Sequence, residues 1–169
     1  LWIRVKKTVS DRSLKLELDP ARDTSEFSTK NRQAKLLAIV HTVFDDICSS
    51  TGELSWELLE ICRFLFSEVM QSGIAGVTEQ AGRIVVAGSI FLRWLCPALI
   101  APERAFGIAV PSTRARRNMV LIAKLLQCIA NKTTPSEHYL EGCNEFVLSQ
   151  GQNLDEVLGV LTAPPVVDR

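Results

Sequence analysis

Histidine is scarce in this chain and cysteine is scattered, which removes most metal chemistry at the outset. His41 and His138 are its two histidines, too far apart to suggest a shared ligand site, so no metal is expected. The five cysteines (Cys48, Cys62, Cys96, Cys128, Cys143) are odd in number and form no C-x-x-C pair. They stand in mostly apolar contexts, where cysteine acts as a small hydrophobe. Reduced, intracellular thiols are expected rather than a disulfide framework. No glycine-rich loop followed by Lys and Ser/Thr occurs, so the chain is not itself a P-loop NTPase. There is no G-x-S-x-G elbow and no H-E-x-x-H pair. The paired acids Asp45-Asp46 lie on a polar helix face and read as solvated surface. Alternating strand patterns, hairpin dipeptides, internal repeats and low-complexity tracts are all missing. The start, Leu1-Trp2-Ile3-Arg4-Val5-Lys6-Lys7, interleaves charge with apolar residues and does not read as a leader. The longest apolar run is broken by Arg93 and falls short of the ~20 residues that span a bilayer, so a soluble protein is expected. Formal net charge is zero, and nothing points to a nucleic-acid partner.

What is present is helical. With 169 residues the chain is long enough for one domain with a core and too short for two. Leu1, Val5 and Val9 have helical spacing without a cap, as in the tail of a helix, and Glu17-Leu18-Asp19-Pro20 breaks it into a loop. Leu36, Ile39, Val40, Val43, Phe44 and Ile47 make a 3.6-residue stripe over Asn31–Ser50. Ser55–Gln71 repeats the pattern, and Gly73 can end it. Thr78-Glu79-Gln80 opens a helix reaching Ile100. Pro97 to Pro111 reads as a loop, after which Ser112 or Thr113 caps a helix to Asn131. Pro135-Ser136-Glu137 starts another, with Tyr139, Leu140, Phe146 and Val147 inward, and a weaker segment covers Asn153–Leu161. The fold class is all-α.

Two features call for explanation. From Val85 to Ile100 nearly every residue is apolar or small, so this helix is expected to be buried on most of its circumference. A guanidinium in such a run is costly unless paired, so Arg93 must reach partners or an exposed groove. The second feature is charge asymmetry. Between Arg104 and Ser136 stand Arg104, Arg114, Arg116, Arg117, Lys124 and Lys132, with no acid. At about 100° per residue, Arg117, Lys124, Gln127 and Asn131 share roughly an 80° arc, opposite Met119, Ile122, Leu126 and Ile129. That arc is either a solvated face whose amides tie neighbouring helices, or a polar rail lining a groove for an acidic partner.

The blocks Phe91-Leu92-Arg93 with Pro97-Ala98-Leu99, and Ala123-Lys124 with Gln127 and Ala130-Asn131, resemble the signature of the Ras GTPase-activating domain. That family reads F-L-R-x-x-x-P-A-[IL], then A-K-x-x-Q-x-x-[AG]-N, and it carries a similar E-[LVI]-[DN]-P tetrapeptide where this chain has Glu17–Pro20. The resemblance runs from about Val5 to Leu161 and corresponds to the C-terminal two-thirds of a complete domain. It implies an all-α, multi-helix, N-terminally truncated domain over 1–163, with a tail at 164–169.

The resemblance also implies a mechanism: an activator inserts an arginine finger into the active site of a Ras-type small GTPase, stimulates GTP hydrolysis and so damps signalling. The arginine of the F-L-R block is not the finger but buttresses its loop, and Arg93 matches it. Arg4 and Arg12 have the wrong neighbours for a finger, so the finger is expected to be absent and the chain alone inactive. Leu92, Lys124, Gln127, Asn131 and Arg117 are the GTPase-binding candidates, and Glu137 is the acid that pairs with Lys124. The family's lysine before that acid is Ser136 here, and Trp94 stands in place of a common Phe. Arg116-Arg117-Asn118 and Ala101-Pro102-Glu103 are similar to the IQ-motif GAP-related scaffolds, which bind a GTPase without activating it; such a pseudo-GAP is the alternative. No cofactor is expected, since GTP and Mg²⁺ belong to the partner. The implied location is cytoplasmic, with recruitment to the inner face of the plasma membrane through the partner or other domains. Truncation is further expected to uncover apolar surface beside Leu36–Phe44 and Val85–Ile90.

Overall fold

A computed structural model describes residues 6–8, 10–11, 13–23 and 29–164; Arg4, Arg12 and residues 165–169 of the expected tail lie outside them. The described residues form eight α-helices, two 3₁₀ turns and one π-helical stretch, with no strand among them. The helices are α1 (Thr29–Ser49), α2 (Trp56–Met70), α3 (Glu79–Ala87), α4 (Cys96–Ile100), α5 (Pro102–Phe106), α6 (Thr113–Asn131), α7 (Asn144–Ser149) and α8 (Gly151–Thr162).

Short polar side chains set the starts of the longer helices. Ser55 accepts from the Leu58 amide, Thr78 from Ala81 and Ser112 from Ala115, each covering one of the amides that a first turn leaves unsatisfied. At the end of α5, Gly107 takes φ +67° and the Ile108 amide reaches back to the Pro102 carbonyl, a six-residue closure that a side chain at Gly107 would strain. Lys132 takes the same left-handed conformation (φ 53°) to close α6, held by an ion pair of its Nζ to both oxygens of Asp155 at 2.6 and 2.7 Å.

The core is built on α6. Its Leu121, Ile122, Leu125, Leu126 and Ile129 are buried, meeting Leu36, Val40 and Phe44 of α1 and Leu99 of α4 in one cluster with Leu154 and Leu158 of α8. Phe44 and Phe91 stack obliquely with ring centroids 6.3 Å apart, joining α1 to the π-helical stretch. Cys62, Cys96 and Cys143 are buried in this cluster, and burial pushes the Cys96 thiol up to about 12 and that of Cys143 to about 11.

Several expectations change. Pro97–Pro111 is not a loop throughout, because Pro97 and Pro102 sit in the first turns of α4 and α5, where a missing amide costs nothing. Gly88–Leu95 opens into a π-helix, with the Cys96 amide bonding to the Phe91 carbonyl five residues back. The wider turn lets the rod continue through Pro97. The rod Glu79–Ile100 is therefore 22 residues long, and an 18-residue stretch within it has mean hydropathy 1.6, long and apolar enough to cross a membrane by length and composition. Its Val86, Ala87, Phe91, Leu95, Cys96 and Leu99 instead lie in the core. It is not buried on most of its circumference: Val85 is 40% and Trp94 52% exposed, and Arg93 is exposed as well. Open apolar surface is found at Val85, as expected, but not at Leu36, Val40 and Phe44, which are fully covered. The helix expected from Pro135 is a 3₁₀ turn, His138–Cys143, running into the short α7, with Leu140 and Val147 buried.

Candidate functional site

The F-L-R helix and α6 pack antiparallel. Cys96 Sγ donates to the Ala123 carbonyl at 3.4 Å, and one turn further Arg116 Nη1 donates to the Ile100 carbonyl at 2.6 Å. Continued in the other direction, that register carries Leu92 and Arg93 toward Gln127. The two sequence blocks thus lie on helices packed side by side.

From Arg117 onward the open positions on α6 are Arg117, Val120, Lys124, Gln127, Cys128 and Asn131, all half-buried, while Met119, Ile122, Leu126 and Ile129 are buried in the core. The polar residues of this face differ in what holds them. Lys124 is ion-paired to Glu137, which arrives from the loop before the 3₁₀ turn, with both side chains about a third or less exposed. Gln127 and Asn131 have no hydrogen-bond partner among the described residues, so their amides are open to a ligand. Leu92, on the π-helical stretch, is half-buried. Arg93 is exposed and makes no hydrogen bond or ion pair among the described residues. Its run avoids the cost of a buried guanidinium by facing outward.

Arg117 is committed differently. Its Nε donates to Glu17 Oε2 at 2.8 Å and Nη2 to the Tyr139 hydroxyl at 3.3 Å, and the Glu17 bond holds the guanidinium further into its charged form. Glu17 Oε1 meanwhile accepts the amides of Leu18 and Asp19 at 3.2 and 3.1 Å, so one carboxylate folds its own turn and anchors it to α6. Asn118, 2% exposed, completes the attachment: its amide receives the Leu16 N–H at 3.2 Å and donates to the Leu14 carbonyl at 3.0 Å.

Arg116 crosses to Glu103 with a bidentate ion pair, one arm at 3.0 Å, which holds the Glu103 carboxyl below its ordinary range. The triplets Ala101-Pro102-Glu103 and Arg116-Arg117-Asn118 are therefore in contact. The polar ties made by Tyr139 and Asn118, and the pairing of buried Arg32 with half-buried Asp23 (2.5 Å), are not among the expectations drawn from the sequence. For Asn118 its place beside Arg117 in a mostly apolar helix was the available signal. For Arg32 there was none.

Residues 4–131 match a family model described as GTPase-activator protein for Ras-like GTPase. Among similar proteins, the Ras GTPase-activating protein raskol of Drosophila melanogaster is 33% identical over 155 residues, covering 88% of this chain and 10% of that protein. The Ras GTPase-activating protein gap-2 of Caenorhabditis elegans is 31% identical over 158 residues, with 90% and 13% covered. Neurofibromin-A of Dictyostelium discoideum is 27% identical over 180 residues, with 96% and 19% covered. The chain thus spans a small part, between 10% and 19%, of the curated relatives it matches.

Proposed function

This chain belongs to the family of GTPase-activator proteins for Ras-like GTPases, and on that premise we propose that it supplies the partner-facing floor of an activator that speeds GTP hydrolysis by a Ras-type GTPase. The carrying observation is the antiparallel apposition of the F-L-R helix with α6, on which Leu92, Lys124, Gln127 and Asn131 are half-buried and Arg93 is exposed.

Each group has a role that its surroundings suit. Gln127 and Asn131 can donate and accept across the interface without stripping water from a charge. Lys124, fixed by Glu137, presents a cation that steers an acidic switch surface. Leu92 supplies apolar contact. Arg93, exposed and unengaged among the described residues, is free to bond the backbone of an inserted loop and preorganise it. That loop carries the arginine that meets charge building on the transferring phosphoryl oxygens. Such a finger is worth about 10³–10⁵ in rate, a general magnitude for Ras-type activation and not one read from this geometry. It corresponds to about 4–7 kcal/mol of transition-state stabilisation.

GTP and Mg²⁺ are the partner's, and the chain acts as activator rather than enzyme. It works in the cytoplasm, and its access to the inner face of the plasma membrane comes through the GTPase or other domains. Its outcome is negative regulation of the GTPase signal. The test is single-turnover hydrolysis by GTP-loaded Ras with the chain in excess. The rate is expected to stay near intrinsic, because none of the arginines has a finger's setting. Roughly hundredfold acceleration would show that Arg4, Arg12 or Arg93 is itself the finger.

A further inference from the structure

At the amino end of α6 the strap formed by residues 15–23 stands off the helix and leaves a cleft of about 330 Å³. Four cations line it (Lys15, Arg22, Arg114 and Arg117) with two acids, Glu17 and Asp23. Both acids are already neutralised: Glu17 by Arg117 at 2.8 Å, and Asp23 by the buried Arg32 at 2.5 Å. Of the other three cations, two have no ion pair among the described residues and one has only a loose one. Lys15 and Arg114 are exposed, with no hydrogen bond or ion pair among the described residues. Arg22 is 61% exposed and reaches only Asp19, at 3.4 Å. A cleft in a protein of zero formal net charge thus gathers two cations, Lys15 and Arg114, that have no ion pair among the described residues, beside the loosely paired Arg22.

The floor is rigid. Leu16 is fully buried and its amide is fixed on Asn118, which also holds the Leu14 carbonyl. The cations are therefore carried on a strap pinned at Leu14, Leu16 and Glu17 to the helix that bears Arg114. Thr113, with its hydroxyl, lines the same space, and the amino end of α6 adds partial positive charge to what the side chains already carry.

We propose that this cleft binds a compact ligand bearing two or more phosphate groups. Arginine meets a phosphate with paired N–H donors and lysine meets it as a mobile point charge, so Arg22, Arg114 and Lys15 can clasp neighbouring phosphates from two walls. Cations grouped around one concavity suit a small polyanion better than an extended backbone. The ligand is a polyphosphorylated headgroup, either free in solution or displayed on a membrane. Arg114 lies about 20 Å along α6 from Gln127; Arg117 is the one residue that the cleft shares with the GTPase-binding candidates, and the proposal rests on Lys15, Arg22 and Arg114 and does not depend on that reading.

The experiment is titration calorimetry of the 169-residue chain with inositol trisphosphate and with inorganic phosphate. It is paired with cosedimentation on phosphatidylcholine vesicles with and without phosphatidylinositol bisphosphate. The double variant Lys15→Gln/Arg114→Gln is expected to weaken binding about tenfold or more. A charge-matched control, Lys30→Gln/Arg104→Gln, is expected to stay within about twofold. Equal affinity for soluble trisphosphate and bisphosphate vesicles supports a free ligand; binding to bisphosphate vesicles alone supports a membrane headgroup. Failure to bind any probe overturns the proposal, as does an equal loss in the control. Inorganic phosphate binding as tightly as trisphosphate would rule out a multiply phosphorylated ligand.

Discussion

Arg117 Nε lies 2.8 Å from Oε2 of Glu17, 100 residues away in sequence, and this contact fastens the E-L-D-P strap to the helix that carries the candidate site. Its second arm, on the Tyr139 hydroxyl, reaches the 3₁₀ turn that follows Glu137. One guanidinium thus joins three segments. The arrangement makes Arg117 first a support for the face and only secondarily available to a partner.

Removing either member should show that coupling. Arg117→Met leaves Glu17 facing apolar atoms, and Glu17→Gln leaves Arg117 half-buried with a weaker acceptor. Each is expected to cost about 1–3 kcal/mol in denaturant unfolding. The double variant should cost less than the sum, with a coupling of about 0.5–3 kcal/mol. Strict additivity would mean the contact carries no stability.

For Lys124 and Glu137 stability and recognition should separate. Lys124→Glu sets two carboxylates against each other, lowering stability by about 0.5–1 kcal/mol at this half-exposed site and weakening GTPase binding most at low salt. Adding Glu137→Lys restores an ion pair of reversed sense. The melting temperature should recover while affinity, measured by surface plasmon resonance, stays lost. Recovery of both would remove Lys124 from the recognition surface.

Arg93 is expected to behave as a surface residue in the isolated chain. It is exposed and has no partner among the described residues, so Arg93→Ala should shift unfolding by less than about 0.5 kcal/mol. A large fall in melting temperature would mean it is a structural ion-pair residue and not a buttress awaiting a loop.

The Glu103–Arg116 pair predicts a pH effect with a definite sign. The hydrogen bonds from Arg116 hold the folded-state carboxyl of Glu103 below the ordinary carboxylate range. A depressed carboxylate stabilises the fold above its unfolded value, and the contribution is lost as pH falls through the folded one. Thermal melts of the parent chain and Glu103→Gln should therefore differ at neutral pH and draw together as acidification passes from the ordinary glutamate range through the depressed folded value. A difference that grows on acidification would contradict the assignment.

Helix starts were legible because their signals are local: Ser55, Thr78 and Ser112 each do what a short oxygen before an apolar stripe can do. The α6 face was legible for the same reason, since a 3.6-residue period determines which side chains share an arc. Two kinds of feature were not. Pro97 reads as a terminator, yet the π-helical stretch ahead of it opens the turn and lets the rod run on. Composition around Val85–Ile100 reads as burial, but it cannot say which side a neighbour covers, and Val85, Arg93 and Trp94 face out. Pairings such as Glu17 with Arg117 and Asp23 with Arg32 depend on where the strap lands. No spacing rule encodes that.

The most direct measurement is the affinity of the folded 169-residue chain, its cooperative melt verified, for Ras loaded with a non-hydrolysable GTP analogue and for Ras loaded with GDP. The account predicts about tenfold or greater preference for the GTP-like form. It also predicts that Lys124→Glu/Glu137→Lys abolishes this preference. Equal affinity for both forms, or no binding by a chain that melts cooperatively, would contradict it.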